Sequence, residues 1–298
     1  MTSLKSTLYL PVIKTLRSSD GTTIYAEAAG DPRNPSIVLA HGLGLSSAIF
    51  DNLFKDERLL AEVYLVRYDQ RGQGRSGKPD TEEAYVSKLW ADDYAAVIEA
   101  FGLKNPVHVG WSYGGTVAVD VVAHLPPGTL SGVVLLAAIP HCTTSSVLAI
   151  SKIIVEFGPG LTTTSDVALS RSTGKELVDT CFNDAAAIPF DLITSWYGMA
   201  TLTPPSVMSF LPGREHDTTK YFEEGKNGLP LLLLYGSKDK HVHGEVLAKE
   251  VGDHFKNLKV HVVEGGSHAA FYENQEEVVT ELLSFMKRTE AYTKQRRS

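Results

Sequence analysis

Six short runs of mainly aliphatic residues recur along this 298-residue chain, each bounded by turn-forming residues. They are apolar at most positions, which is typical of strands in a parallel sheet that is buried on both faces. These runs lie at residues 37–40, 63–67, 107–110, 133–137, 231–235 and 260–263. Two earlier runs, 13–16 and 23–26, are more polar and flank Ser19-Asp20-Gly21, which favours a hairpin turn. The chain is therefore predicted to begin with an antiparallel hairpin and to continue as a parallel sheet.

Segments between these runs carry apolar residues at three- and four-residue spacing, the pattern of an amphipathic helix. These segments are 47–60, 85–101, 113–124, 244–253 and 275–288. Strands that alternate with helices form a sheet with helices packed on its faces. The predicted fold class is α/β, with an eight-stranded, mostly parallel sheet flanked by helices.

Residues 140–228, called the insert below, interrupt this alternation because they contain no convincing core strand. The insert is rich in large apolar and aromatic residues. Such residues bury one another for stability, and some of them can also line a ligand cavity. We expect residues 1–139 and 229–298 to form one core domain and the insert to form a helical cap (lid) over it.

The charge balance argues against a nucleic-acid partner, and the hydropathy pattern argues against a membrane. The chain has 28 basic and 35 acidic residues, so its net charge of −7 offers no attraction for a nucleic acid. No apolar run approaches the roughly 18 residues that a membrane helix needs. The expected partner is a small molecule, with neither nucleic acid nor membrane, and the sequence does not predict an oligomeric state.

The number of cysteines and the N-terminal residues indicate the cellular compartment in which the protein is expected. The two cysteines, Cys142 and Cys181, are too few for a disulfide framework. The first eight residues lack the apolar core of a secretory signal. We therefore expect a reducing compartment, the cytoplasm.

A G-x-S-x-G motif centred on Ser112 carries the first indication of chemistry. It follows the predicted strand 107–110 directly and leads straight into a predicted helix. A serine in such a strand-to-helix turn is held exposed above the sheet, and glycines two residues before and after it prevent steric clashes. Ser112 is therefore the predicted nucleophile.

A serine nucleophile needs a general base, and the base needs a carboxylate that holds its tautomer. His268 follows the strand 260–263 through a glycine-rich loop, whereas His261 lies within that strand. Asp239 follows the preceding strand, and the rival Asp253 lies a helix away. Because loops at the carboxyl ends of parallel strands form sites, Asp239 and His268 are the predicted partners of Ser112.

Acyl transfer also needs two backbone donors for the oxyanion, one after the nucleophile and one after an early strand. The N–H groups of Tyr113 and Leu43 fit these positions. For the walls of the substrate pocket we select Trp111, beside the nucleophile, and Trp196 with Tyr197 in the insert.

Six short sequence motifs, given below in their order along the chain, resemble those of the α/β-hydrolase superfamily, and within it those of the capped esterase and non-haem haloperoxidase-like branch. They are Asp20-Gly21, His41-Gly42, Asp-Gln-Arg-Gly-Gln-Gly-Arg-Ser at 69–76, Gly-Trp-Ser-Tyr-Gly-Gly at 110–115, Gly-Ser-Lys-Asp at 236–239 and Gly-Gly-Ser-His at 265–268. The resemblance extends from about residue 13 to residue 288. It implies the α/β-hydrolase fold and gives Ser112, Asp239, His268, Leu43 and Tyr113 the same roles.

Differences from related sequences narrow the range of expected activities. Haloperoxidase and perhydrolase relatives commonly carry methionine after the nucleophile, where this chain has Tyr113, so the resemblance does not favour perhydrolysis. Haloalkane dehalogenases and epoxide hydrolases of the superfamily use an aspartate nucleophile, and position 112 is serine. An ester or lactone is the expected substrate.

Two other motifs are interpreted as structural. The pattern G-x-G-x-x-G at residues 72–77 is followed by Pro79, which prolongs a loop where dinucleotide binding requires a helix. We interpret it as a loop in which Asp69 and Arg71 pair. His241-Val242-His243 lacks a third metal ligand at a suitable spacing and is interpreted as a solvated loop.

The sequence therefore predicts a cytoplasmic serine hydrolase that cleaves a small, largely apolar carboxylic ester or lactone through an acyl-enzyme, without metal or other cofactor. Two alternatives stay open. One is a C–C bond hydrolase of a β-diketone-like substrate that uses the same triad, for which Arg171 and Arg214 supply candidate cationic groups. The other is a ligand receptor with little turnover.

Overall fold

The computed structural model describes residues 10–143 and 148–297, and the eight N-terminal residues used to predict location lie outside this part. The eight predicted strands are all found, with ends shifted by at most a few residues. They are β1 Val12–Arg17, β2 Thr23–Ala29, β3 Ser36–Ala40, β4 Tyr64–Tyr68, β5 Val107–Trp111, β6 Gly132–Leu136, β7 Leu231–Gly236 and β8 Leu258–Val263.

These strands form one sheet in the order β1-β2-β4-β3-β5-β6-β7-β8. The pairs β1/β2 and β2/β4 are antiparallel, and every other neighbouring pair is parallel. Strands β3 to β7 are buried throughout, as their continuous apolar runs predict. The predicted α/β fold class is confirmed, and the carboxyl ends of β3, β5, β7 and β8 meet at one edge of the sheet.

Helices cover both faces of the sheet. Those described are α1 Asp51–Phe54, α2 Glu57–Glu62, α3 Ser87–Phe101, α4 Val117–His124, α5 Lys152–Thr162, α6 Val167–Asp179, α7 Phe190–Ala200, α8 Pro205–Met208, α9 Thr219–Lys226, α10 Gly244–Gly252, α11 Ala270–Glu273 and α12 Gln275–Arg297. One core contains the buried sides of α3, α4 and α10, and the other those of α1, α2 and α12. Two apolar cores on opposite faces are the expected result of a doubly covered sheet.

The single helix predicted at 47–60 is wrong. The structure has a 3-10 turn at Ser47–Phe50, followed by α1 and α2 as separate short helices. The Asp56 carboxylate accepts hydrogen bonds from the N–H groups of Arg58 and Leu59, so it caps a new helix where the pattern suggested continuation.

The insert supplies α5 to α9, which lie between β6 and β7 in the chain. Its backbone is fastened to loops of the sheet edge: the Ala269 N–H donates to Cys181 O at 2.9 Å, and the Lys240 ammonium donates to Phe182 O at 3.0 Å. The division into a core domain and a cap stays a prediction. Within the described ranges, none of the helices is at once long and apolar enough to cross a membrane.

The loop at residues 69–76 is held by ion pairs, but not by the predicted one. The Asp69 carboxylate is fully buried and binds the Arg75 Nε at 2.8 Å and the Ser47 N–H at 2.9 Å. Arg71 points away and makes two 2.7 Å contacts with Asp93. The predicted Asp69–Arg71 pair is therefore wrong, because Asp69 pairs with Arg75 and Arg71 pairs with Asp93 of α3.

We expect Asp69→Asn to lower the free energy of unfolding by about 2–3 kcal/mol at pH 7. Burial is the largest single influence and raises the pKa of Asp69, but the hydrogen bonds from Arg75 and Ser47 and the charge of Arg75 act together with other favourable contacts to lower it to about 2. A carboxylate whose pKa falls on folding stabilises the protein above its unfolded pKa of about 3.9, and the contribution is lost as pH falls towards 2. Urea unfolding at pH 7 and pH 3 measures both effects.

The matched control for this prediction is Asp80→Asn, in an exposed loop. It is expected to change stability by less than about 0.5 kcal/mol at either pH. A loss for Asp69→Asn that is as large at pH 3 as at pH 7 would contradict the electrostatic explanation.

Candidate active site

Ser112 lies at a sharp turn between β5 and the 3-10 turn Ser112–Thr116, which leads into α4. Its φ of +55° is in the left-handed region that side-chain-bearing residues rarely adopt. The chain passes so close to its neighbours that a Cβ on Gly114 would lie 2.2 Å from Ala40 O, and one on Gly110 would lie 2.4 Å from Gly114 O. The strained turn that the motif predicts is therefore present, with Ser112 at the carboxyl edge of the sheet.

Asp239 and His268 meet at the same edge. The Asp239 Oδ2 and His268 Nδ1 are 2.9 Å apart, and each side chain is only 1% exposed. The other carboxylate oxygen accepts hydrogen bonds from the backbone N–H of His241 at 2.8 Å and of Val242 at 3.0 Å. An ionised Asp239 held in this way keeps the His268 proton on Nδ1, which leaves Nε2 free to accept a proton.

A cavity of about 280 Å³ adjoins these residues, and both Ser112 and His268 line it. Much of the rest of its wall is apolar and comes from the loop after β3 and from the insert. Examples are Leu43, Leu45, Ile150, Ile154, Leu177 and Met208. The cavity can therefore hold a small apolar molecule against the Ser112 hydroxyl and the His268 imidazole.

The loop after β3 is shaped by side chains of the 69–76 segment. The Gly44 N–H donates to Gln73 Oε1 at 2.6 Å, and the Gln70 amide donates to His41 O. The Gln70 N–H also donates to His41 Nε2 at 3.0 Å, so the His41 proton is on Nδ1 and donates to Gly42 O at 2.8 Å. Burial lowers the pKa of His41, consistent with a neutral ring. The segment that mimics a dinucleotide motif therefore positions the predicted oxyanion loop.

Both predicted oxyanion donors lie beside this cavity. Leu43 lines it, and its N–H has no hydrogen-bond acceptor among the described residues. Tyr113 is the second residue of its 3-10 turn, so its N–H has no carbonyl within the turn to bind. The Tyr113 side chain is anchored, since its hydroxyl donates to Leu211 O and the Arg214 guanidinium lies 5.2 Å from its ring.

Of the three predicted wall residues, Trp111 lines the cavity. Its indole N–H also donates to His268 O at 2.9 Å, which ties the histidine loop to β5. Trp196 is fully buried and packs edge-on against Trp111, but it is not part of the cavity wall. Tyr197 lines a separate groove of the insert, and its hydroxyl donates to Asp179. Trp196 and Tyr197 therefore lie outside the wall of the cavity beside Ser112, and they face different ways because adjacent residues on α7 point about 100° apart. Their role in substrate binding stays a prediction.

The interpretation of His241 as a solvated loop residue is also wrong. His241 is 4% exposed and lines the cavity, and its ring centroid lies 4.2 Å from that of His268. The hydrogen bond from the His241 N–H to the Asp239 carboxylate holds the residue beside the site, and the local sequence pattern does not show that bond.

Neither arginine that was considered for a C–C hydrolase faces this cavity. Arg214 is buried elsewhere, with its Nη2 3.0 Å from Asp120 Oδ2. Arg171 lines the separate groove of the insert. Among the described residues, the cavity beside Ser112 therefore has no arginine or lysine in its wall.

An eight-stranded, mostly parallel sheet with a serine turn at the carboxyl end of β5 defines the α/β-hydrolase fold. A model of the alpha/beta hydrolase family matches residues 37–281. The chain belongs to this family.

Curated relatives and a solved structure agree with this assignment. The chain is 27% identical to a non-heme chloroperoxidase of Streptomyces lividans, over 92% of this chain and 99% of that protein. It is 26% identical to the bifunctional esterase/perhydrolase DCH of Acinetobacter calcoaceticus, over 91% and 98%. The esterase RhEst1 from Rhodococcus sp. ECU1013 superposes with a TM-score of 0.82 at 26% identity, over 92% of this chain and 98% of that one. These similarities support hydrolase activity.

Proposed function

We propose that this protein is a serine hydrolase that cleaves a small, largely apolar carboxylic ester or lactone through an acyl-enzyme. One observation carries the proposal: a serine in a strained turn opens into the same apolar cavity as a histidine that is hydrogen-bonded to a buried aspartate. A nucleophile, a base and a group that orients the base are the elements that acyl transfer requires.

In the proposed reaction the Ser112 oxygen attacks the carbonyl carbon while His268 Nε2 accepts the hydroxyl proton. The N–H groups of Leu43 and Tyr113 stabilise the negative oxygen that develops. His268 then returns the proton to the leaving alcohol, and the C–O bond of the ester breaks. Water attacks the acyl-enzyme with His268 as base, so the acid leaves and Ser112 is restored.

The substrate class follows from the wall of the cavity. Its volume of about 280 Å³ suits a small molecule, and its aliphatic lining favours an apolar acyl group. The names of relatives, an esterase/perhydrolase and an esterase, support an ester in the same way.

Cys142 and Cys181 are both unpaired, which is consistent with the proposed cytoplasmic location.

Covalent labelling tests the proposed function. We expect a fluorophosphonate to label one serine, and tandem mass spectrometry to place the label on the peptide that contains Ser112 rather than Ser267. Unlabelled protein should hydrolyse p-nitrophenyl acetate and butyrate, and labelled protein should not. Labelling with an initial burst but little steady turnover would favour the receptor alternative, and the absence of labelling would contradict the triad.

A further inference from the structure

His241 brings a second imidazole to the cavity, beside the one that the proposed mechanism uses. Its backbone is fixed from two sides: the N–H donates to Asp239, and the carbonyl accepts from the Ser151 N–H at 2.9 Å. The side chain is 4% exposed and lines the cavity together with Ser112 and His268. A buried polar ring held this rigidly presents a fixed hydrogen-bonding atom to whatever enters the cavity.

The contacts of Thr180 favour the tautomer of His241 that carries its proton on Nε2. The Thr180 hydroxyl oxygen lies 2.8 Å from Glu176 O, 3.1 Å from Leu177 O and 2.7 Å from His241 Nε2. Carbonyl oxygens only accept, so the hydroxyl donates towards them and accepts from an Nε2–H. The Nδ1 of His241 then has a free lone pair, and this nitrogen has no partner among the described residues.

A neutral His241 is consistent with its surroundings. Burial lowers the pKa of His241 well below its ordinary value, and the neighbouring His268 and Lys240 lower it further. Other polar groups of the wall are already engaged: the Thr162 hydroxyl donates to Gly158 O at 2.9 Å, and the Tyr113 hydroxyl donates to Leu211 O. The Nδ1 of His241 is thus an acceptor that the protein leaves unsatisfied in an otherwise apolar wall.

We propose that His241 accepts a hydrogen bond from an O–H or N–H group of the substrate, so that the enzyme selects esters or lactones with such a donor near the scissile carbonyl. This inference rests on the proposed function. The 4.2 Å between the two imidazole centroids keeps the donor close to the reacting atoms. A substrate without the donor would cover this nitrogen without pairing it, which disfavours the binding of that substrate and its transition state.

Ester pairs of matched shape test the proposal. On the acyl side they are the p-nitrophenyl esters of lactate and isobutyrate, of 3-hydroxybutyrate and 3-methylbutyrate, and of N-acetylglycine and 4-oxopentanoate. On the alcohol side the pair is 2-hydroxyethyl and propyl acetate, followed by acid release. In at least one pair the wild type should favour the donor-bearing ester by about 10- to 100-fold in kcat/KM. The ratio within a pair cancels any general change in activity.

Two substitutions separate hydrogen bonding from packing. His241→Leu removes the acceptor and should reduce the preference to about 2-fold or less. His241→Asn retains an oxygen or nitrogen near the position of Nδ1 and should keep a measurable part of the preference. A methoxy ester, 3-methoxybutyrate, should gain nothing over 3-methylbutyrate, because it cannot donate.

Each outcome decides a separate question. Hydrolysis without a donor preference in any pair, a preference that survives His241→Leu, or an equal gain for the methoxy ester would overturn the role of His241 and leave the proposed function intact. No hydrolysis of any ester, together with no fluorophosphonate label on Ser112, would overturn the proposed function and this inference with it.

Discussion

Asp239→Asn is expected to lower kcat for p-nitrophenyl butyrate by about 10⁴-fold, with little change in the folded structure. The asparagine oxygen can still accept the backbone N–H groups of His241 and Val242, so the loop keeps its shape. The amide nitrogen, however, would face His268 Nδ1, where the carboxylate oxygen is now 2.9 Å away. An amide donates there, so the histidine proton would move to Nε2, and the ring could no longer act as the base for Ser112.

A matched control is Asp253→Asn, at the end of α10, which alters an exposed aspartate that the sequence offered as a rival acid. It should retain at least half of the wild-type kcat. Thermal unfolding and circular dichroism of both variants check that the loss belongs to the reaction and not to the fold. A fall of less than 10-fold in the Asp239→Asn variant would remove Asp239 from the proposed triad.

The sheet was predictable because its strands need only local information. A run such as Val133 to Leu136 is buried on both faces, so every position is apolar and the turn residues around it set its ends. Parallel strands then bring their carboxyl ends to one edge, which is why Ser112, Asp239 and His268 could be grouped from their places after strands alone.

The walls of the cavity were harder to predict because they depend on which way a helix or loop faces. Trp196 and Tyr197 are neighbours in sequence, but α7 turns one towards the aromatic core and the other towards a different groove. His241 resembles a polar loop residue until the hydrogen bond from its own N–H to Asp239 is known. Orientation of this kind follows from tertiary packing, which the local pattern does not contain.

The partners of charged side chains were also hidden from the sequence. Asp69 binds Arg75 instead of Arg71, although both arginines lie in the same loop as Asp69, so the choice depends on how that loop folds. Arg214, which the sequence offered as a cationic group for the substrate, is buried against Asp120 of α4, in a segment that only the completed fold brings close to it. The Arg214 pair has the larger consequence for stability, because both of its side chains are fully buried.

Arg214→Met is expected to lower the free energy of unfolding by about 3–5 kcal/mol at pH 8, because it leaves Asp120 buried without its cation. In the wild type the Arg214 Nη2 lies 3.0 Å from Asp120 Oδ2, and the guanidinium stacks 3.9 Å from the Trp90 ring. The double variant Arg214→Met/Asp120→Leu removes both charges, so it should recover most of the loss. Urea unfolding followed by tryptophan fluorescence measures all three proteins. An exposed pair gives the control: Lys152→Met, opposite Glu156, should cost less than about 0.5 kcal/mol.

The loss caused by Arg214→Met should also depend on pH. Burial raises the pKa of Asp120 to about 7 even beside Arg214, whose charge opposes the rise. Without Arg214 the native state holds a proton on Asp120, or on His216 3.7 Å away, to a higher pH than the wild type does. A native state that binds more protons than the unfolded chain loses stability as pH rises, so the loss should be larger at pH 9 than at pH 6, by at most about 1.4 kcal/mol per pH unit. An equal loss at both pH values would mean that Arg214 stabilises the fold by packing on Trp90 and not by neutralising Asp120.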